Sequence, residues 1–305
     1  MGNIDLVALE IFKMVAEHGG ITKAAARLHR VQSNISTRVK QLEDRLGTQL
    51  FVRRKGRLTL SSEGRVLLDY ADRLLHLSSE AEAALHNRRP SGTLRLGALE
   101  STAATRLPPI LARYHRLYPE VRVELATGTT GNLVARVLSG EVEAAFVAEP
   151  FTPSDLEIRP AFGEELVLIT PKRFHRIRAP RDVGHTTLIA FASGCSYRRR
   201  LEAWLGGARV APERVMEFAS YHAIVACVAA GSGIAIVPRS VIAISPASRE
   251  LATHSLPPGV ARARTCLVWR SGHHTPGLAA LQELLPAVAG RRPGRGVKSC
   301  ITTMS

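Results

Sequence analysis

The chain has 305 residues, 45% of them hydrophobic, and a formal net charge of +15. That length and composition allow two or three domains with buried cores, and no stretch approaches the roughly 18 uninterrupted apolar residues of a membrane span. Acids stand in MGNIDLVALEIFKMVAEHGG where a secretory signal would have a basic segment, so the expected location is the cytoplasm. The cysteines Cys195, Cys227, Cys266 and Cys300 lie far apart, with no ligand spacing. Neither a zinc site nor a disulfide framework is expected, and no cofactor is implied. A basic excess points toward a polyanion, but it is spread along the chain and does not by itself establish nucleic-acid binding.

From Ile4 to about Arg89 the pattern is helical, with one interruption near Gly56. The segment LVALEIFKMVAEHG offers Leu6, Leu9, Phe12 and Val15 or Ala16 as one apolar face. In ITKAAARLH, Thr22 is placed to cap a helix and is also a candidate DNA contact, and Ala24, Ala25 and Leu28 are small enough to let another helix approach closely. The next helix has Ile35, Val39, Leu42 and Leu46 as its inner stripe. Its other face carries Gln32, Ser33, Ser36, Thr37, Arg38 and Lys40, with Asn34 among them. Short hydrogen-bonding side chains followed by cations suit a helix that enters the major groove while its flanks touch phosphate. A helical bundle with a solvated face would share this spacing. Against it stands LFVRRKGRLTLSSEG, two short β-like arms about Gly56 bearing Arg53, Arg54, Lys55 and Arg57, a wing able to grip phosphate or a minor groove.

A long helix follows Ser62, with Leu67, Tyr70, Leu74, Leu77, Ala81 and Ala84 at coiled-coil spacing. Such a stripe wants a partner chain, and a dimer would set two recognition helices on two half-sites of a pseudo-palindromic operator. After RRPSG at 88–92 the pattern changes to short β-rich runs alternating with helical ones, which argues for βαβ units and a mostly parallel sheet. A second alternating set begins at ELVLITP and ends with TCLVWR near 270. The expected organisation is a winged helix-turn-helix over 1–61, a linker or dimerisation helix over 62–90, and two α/β lobes over 91–290. The first lobe takes about 91–163 and 270–290, the second about 164–269, and 291–305 forms a tail too polar and Gly-rich to order.

In open α/β lobes, ligands bind beyond the carboxyl ends of strands, where helices present their N-termini. The rims so defined carry Glu100, Ser101 and Thr102; Thr127, Thr129 and Thr130; Cys195 and Ser196; and Tyr221 and His222. Glu149, after the strand AAFVA, falls near a crossing between the lobes. Two carboxylates among hydroxyls point to an effector bearing at least one ammonium, an amino acid or a diamine, unless either glutamate is solvated or pairs with an arginine. No nucleophile, base and orienting acid stand in a recognised arrangement, so ligand contact is expected of His222 and Tyr221 rather than catalysis. Arg198, Arg199 and Arg200 are expected on a solvated or inter-subunit face.

The sequence resembles the LysR-type transcriptional regulators over nearly its whole length. Phe12 with ITKAAARLH, QSNIS with Leu42-Glu43 and Leu46-Gly47, LFVRR and LTLSSEG carry the resemblance. It implies an N-terminal winged helix-turn-helix, a long linker helix and a two-lobed α/β effector domain of periplasmic-binding-protein type. The implied partners are double-stranded DNA, a small-molecule effector, further copies of the chain as homodimer or homotetramer, and RNA polymerase. It also places Gln32, Ser33, Ser36 and Arg38 where relatives read bases or contact backbone, with Arg53 as the wing arginine. Val31 departs from the pattern, standing where relatives often have a capping Ser or Thr. LESTAATR, CSYRRRLEAW, SYHAIVACVAAGSGIAIVPRS and CLVWR are similar to a subgroup that includes a regulator of putrescine utilisation, which implies a polyamine effector. A solute-binding protein of similar two-lobed build and an α/β enzyme are the competing readings. Residues 1–90 and the lack of a signal peptide weigh against the first, and the missing catalytic arrangement against the second.

Overall fold

A computed structural model describes residues 4–54, 57–86, 89–152, 155–174 and 176–287. The chain divides into two compact units, Met1–Arg89 and Pro90–Ser305. The tail at 291–305 lies outside the described residues.

In the first unit, α1 (Leu6–His18) starts where the Asp5 carboxylate accepts the Val7 N–H at 3.1 Å, and stops at Gly19, whose φ of +66° suits glycine. Leu9, Phe12 and Val15 are buried as expected. Leu6 is 41% exposed, and the buried face runs through Ile11 instead. Helix α2 (Ile21–Arg27) follows Gly20 without a side-chain cap. Thr22 therefore does not cap it: the helix begins one residue earlier, and Thr22 lies exposed in its first turn. Ala24 and Ala25 are buried where α2 meets its neighbours. Helix α3 (Gln32–Leu46) follows an extended Val31 that offers no cap hydrogen bond, and ends at Gly47. Ile35, Val39 and Leu42 face the core, and Leu46 packs against it half-buried.

Strands β1 (Phe51–Arg54) and β2 (Arg57–Leu60) pair antiparallel, Phe51 opposite Leu60 and Arg53 opposite Leu58. Lys55 and Gly56, at the expected tip, fall outside the described residues. The Phe51 ring meets Phe12 at 5.3 Å between centroids. Glu43 accepts the backbone N–H groups of Leu50 at 2.7 Å and Phe51 at 3.2 Å, so α3 fixes the root of the wing. Helix α4 (Ser62–His86) has 25 residues and extends about 38 Å at 1.5 Å per residue. Ala71 is buried, and Leu67, Leu68 and Leu75 pack against the same core. Val66, Tyr70, Leu74 and Leu77 are exposed. The outer stripe therefore starts at Val66, since Leu67 turns toward the winged head.

The second unit is built from β3 (Gly92–Ala98), α5 (Glu100–Thr105), α6 (Leu107–Leu117), β4 (Val121–Thr127), α7 (Thr130–Ser139) and β5 (Ala144–Ala148). These are followed by β6 (Leu156–Pro171), β7 (Leu188–Ala190), α8 (Ser196–Gly207), β8 (Val215–Glu217), α9 (Tyr221–Ala229) and β9 (Ala235–Pro238). The last elements are α10 (Arg239–Ile244), β10 (Leu251–Ser255), α11 (Pro258–Ala261), β11 (Arg262–Arg270) and α12 (Pro276–Leu284). The main sheet runs β10-β6-β11-β5-β3-β4, with β9 on β6. Among the described residues only β3 with β4 and β3 with β5 are parallel in it, while β6 and β11 pair antiparallel with their neighbours. The sheet is thus mixed rather than mostly parallel, because the chain passes between lobes along two long antiparallel strands.

The expected strand ELVLITP is the second half of β6. Its first half contains Pro160 and Gly163, residues that read as breakers in sequence. They lie at the crossing, beside a register shift between Thr265 and Cys266 of β11. From Thr265 to Trp269, β11 pairs with β5, so first-lobe pairing is already established before residue 270. Leu94, Leu96, Phe146 and Trp269 meet Leu107, Tyr114 and Leu278 on one face of the first-lobe sheet. Leu133, Val137 and Val147 on the other face share a core with Leu168, Leu201, Ile224 and Val237 of the second lobe. Behind the crossing, Arg106 donates twice to the buried Glu164, at 2.8 and 3.1 Å, and Ser240 donates to the same carboxylate at 3.2 Å.

Candidate nucleic-acid interface and ligand cleft

On α3, Gln32, Ser33, Asn34, Thr37, Arg38 and Lys40 are exposed and Ser36 is half-buried, as the burial of Ile35, Val39 and Leu42 on the opposite side requires. Arg38 Nη1 lies 4.0 Å from Asp5 at the start of α1, an open contact that leaves the guanidinium 46% exposed. Arg53 is exposed on β1, its neighbour Val52 half-buried, in the alternation a strand imposes. Arg54 lies on the same strand. Glu43 was legible only as part of a motif; its hydrogen bonds to the wing give it a positioning role.

In the second unit a cleft of about 280 Å³ is lined by Leu99, Glu100, Gly128, Thr129, Ala148, Phe191, Cys195, Ser196, Tyr197 and Tyr221. It brings together Glu100, Thr129, Cys195, Ser196 and Tyr221 of the sequence-derived set. Glu100 reaches from the first lobe to the start of α9. Its Oε1 accepts the Tyr221 N–H at 3.3 Å and the Ser220 hydroxyl at 3.5 Å. Its Oε2 is buried with no hydrogen-bond partner. Burial holds this carboxyl above the usual range, opposed by the hydrogen bonds from Tyr221 and Ser220. Tyr221 stacks edge-on against Phe191 at 4.6 Å, and burial pushes its phenol well up.

Other members of the set have structural partners or lie off the cleft wall. Thr130 exchanges hydrogen bonds with the Ala148 backbone, donating at 3.2 Å and accepting at 3.3 Å, and so ties α7 to β5. Ser101 and Thr102 are buried on the inner side of α5, while Thr127 and His222 are exposed. The Glu149 carboxylate does not line the cleft. It pairs with Arg264 Nε at 3.3 Å and accepts the Cys266 thiol at 3.7 Å, and burial together with this carboxylate pushes that thiol up to about 12.

Arg199 is exposed and Arg198 and Arg200 are half-buried, and each finds hydrogen-bond acceptors within the lobes. Arg198 joins Glu202, Glu217 and the Phe191 carbonyl. Arg199 donates to the Pro150 carbonyl at 2.9 Å, and Arg200 to the carbonyls of Glu149, Gly259 and Arg262, each at 3.1 Å. With Ser196 donating to the Glu149 carbonyl at 2.6 Å, α8 grips the chain where it leaves the first lobe. Sequence reasoning missed Leu99, Ala148, Phe191 and Tyr197. Phe191 ends the run TTLIAF, four residues before Cys195, and Tyr197 follows Ser196, so the rim chosen from the strand-end rule began too late and stopped one residue short. Among the described residues no three His, Cys, Asp or Glu side chains gather to hold a metal, and no helix is long and apolar enough to cross a membrane.

A helix-turn-helix with a basic wing in one unit, and a cleft between two α/β lobes in the other, define a DNA-binding protein that answers to a small molecule. Residues 6–65 match the bacterial regulatory helix-turn-helix protein, lysR family, and residues 87–290 match the LysR substrate binding domain. The chain belongs to the LysR family and is a ligand-responsive transcriptional regulator, not an enzyme. It is 39% identical to the HTH-type transcriptional regulator GltR of Bacillus subtilis over 83% of this chain and 86% of that protein. With YofA of Bacillus velezensis it shares 38% identity over 94% and 98%. The crystal structure of full-length CbnR complexed with its target DNA superposes with a TM-score of 0.66 at 25% identity, covering 92% of this chain and 99% of that one. Full-length OxyR of Pseudomonas aeruginosa shares the fold, with a TM-score of 0.65 at 21% identity over 93% and 94%.

Proposed function

We propose that a homodimer of this chain reads a pseudo-palindromic operator in the cytoplasm through α3 and the wing, and that an amine-bearing effector in the cleft alters that binding. The exposed Gln32, Ser33, Thr37, Arg38 and Lys40, with the half-buried Ser36 among them, support the first half, since amide and hydroxyl groups suit base edges and backbone while cations suit phosphate. Arg53 and Arg54 on the wing extend the phosphate grip. Arg53→Ala should weaken binding to all sequences and flatten the plot of log affinity against log salt by about one unit of slope. Arg38→Ala should weaken operator binding as well. Anisotropy titrations over a salt series read both, and unchanged affinity in the two variants would count against this assignment.

The buried, unpartnered Glu100 Oε2 carries the second half. A carboxylate oxygen without a donor in a desolvated wall favours a ligand that brings one, above all an ammonium. None of the relatives named above is named for amine utilisation, so support for the amine comes from the site itself. Calorimetric titration of the full chain with putrescine, spermidine and L-amino acids should give heat with at least one amine. Glu100→Gln should weaken that binding about tenfold or more, the usual cost of losing a charged hydrogen-bond partner. Heat from no amine would sink this reading.

A further inference from the structure

The cleft wall carries one carboxylate oxygen without a hydrogen-bond partner, Glu100 Oε2. A diamine needs two carboxylates, and the second candidate, Glu149, is held by Arg264 at 3.3 Å. Two helix starts on the same wall have the opposite sign. Helices α7, of ten residues, and α8, of twelve, both begin at the cavity wall, at Thr129 and at Cys195-Ser196. They come close: a β-carbon on Gly131 would lie 4.0 Å from Gly194 Cα, and one on Gly194 would lie 3.1 Å from Thr129 Oγ1. Each start presents N–H groups at the positive end of a dipole; in α7 Thr129 Oγ1 accepts one of them, from Asn132 at 3.4 Å. The N-cap of α8, Cys195, makes no side-chain cap bond. Tyr197, on the same wall and 2% exposed, has a hydroxyl without a well-formed hydrogen bond.

We infer that the cleft takes a zwitterion, a small α-amino acid whose ammonium is held by Glu100 and whose carboxylate is held at the starts of α7 and α8, in preference to a diamine. This rests on the amine reading and narrows it. A second ammonium placed at the starts of α7 and α8 would be buried against two positive dipole ends with no anion to pair it, whereas a carboxylate meets donors there.

The test is calorimetry of the full chain with the proteinogenic L-amino acids, putrescine and spermidine. For each amino acid that binds, the amine left by removing its carboxylate and the acid left by removing its amine are titrated too. The expected result is one or a few amino acids bound at least about tenfold more tightly than either derived compound, with putrescine and spermidine weaker. Putrescine or a derived amine binding as tightly as the amino acid would overturn the zwitterion and leave the amine reading standing. A derived acid binding as tightly, with Glu100→Gln no weaker for it, would overturn both. So would the absence of heat from every compound.

Discussion

A chain with Leu74 and Leu77 both replaced by glutamate is expected to sediment as a monomer and to bind its operator about a thousandfold more weakly. Both side chains stand on the outer face of α4, 41% and 55% exposed, in line with Val66 and Tyr70. The helix packs on the winged head through its other face, at Leu67, Leu68, Ala71 and Leu75, so the substitutions spare the fold of the head. Burying a leucine in a seam stabilises it by about 1.5–3 kcal/mol, and a twofold seam counts each position twice. Glutamates there would remove that burial and bring like charges together. A head that has lost its partner reads one half-site, and specific binding commonly exceeds non-specific binding by about a thousandfold or more. Sedimentation equilibrium and operator anisotropy read the two effects together. A variant that stays dimeric and binds with unchanged affinity would show that the stripe is not the interface.

Gly64→Ala is expected to destabilise the winged head by about 3 kcal/mol, the upper range for forced overpacking. Helix propensity alone argues the other way, since alanine is favoured over glycine by about 1 kcal/mol in a helix. Space decides: a β-carbon at 64 would lie 2.1 Å from the Leu50 carbonyl oxygen and 3.0 Å from Leu60 Cδ2. That carbonyl cannot step aside cheaply, because it accepts the Ser61 N–H at 2.9 Å while Glu43 holds the Leu50 N–H. The Gly64 N–H itself meets the Ser61 hydroxyl at 2.8 Å, the cap that starts α4. Denaturant unfolding of the variant should show the loss, with operator affinity falling as the wing shifts. A stability equal to or above that of the parent chain would contradict the packing described here.

The head was the more legible part of the sequence, and the reason is local. Ile35, Val39 and Leu42 announce their burial through helical spacing, and the opposite face follows from it. Capping was less legible: Thr22 has the chemistry of a cap, but α2 starts at Ile21 and leaves it in the first turn. Val31 was legible as a missing cap, and it stands 69% exposed at the start of α3. In the second unit the strand ends located five of the cleft residues, because strand ends and helix starts are also local signals. What the sequence hid was long-range pairing. Nothing near Glu149 shows that Arg264 will neutralise it, or that Arg198, Arg199 and Arg200 find acceptors on distant loops and strands. Pro160 and Gly163 show the same limit: their place in β6 depends on a partner strand a hundred residues away.

Coupling between the cleft and the operator is most directly measured on DNA selected by the full chain from a random-sequence pool. That DNA would be titrated by anisotropy, and its bend angle measured, without ligand and at saturation with the amino acid that binds most tightly. The expected result is an enriched pseudo-palindrome whose half-sites are spaced by whole helical turns, with an affinity or bend that changes with ligand. An affinity change of about fivefold or more would fall in the usual range of allosteric coupling, and Glu100→Gln should remove the response. No enriched sequence, or one bound and bent identically with and without saturating ligand, would contradict it.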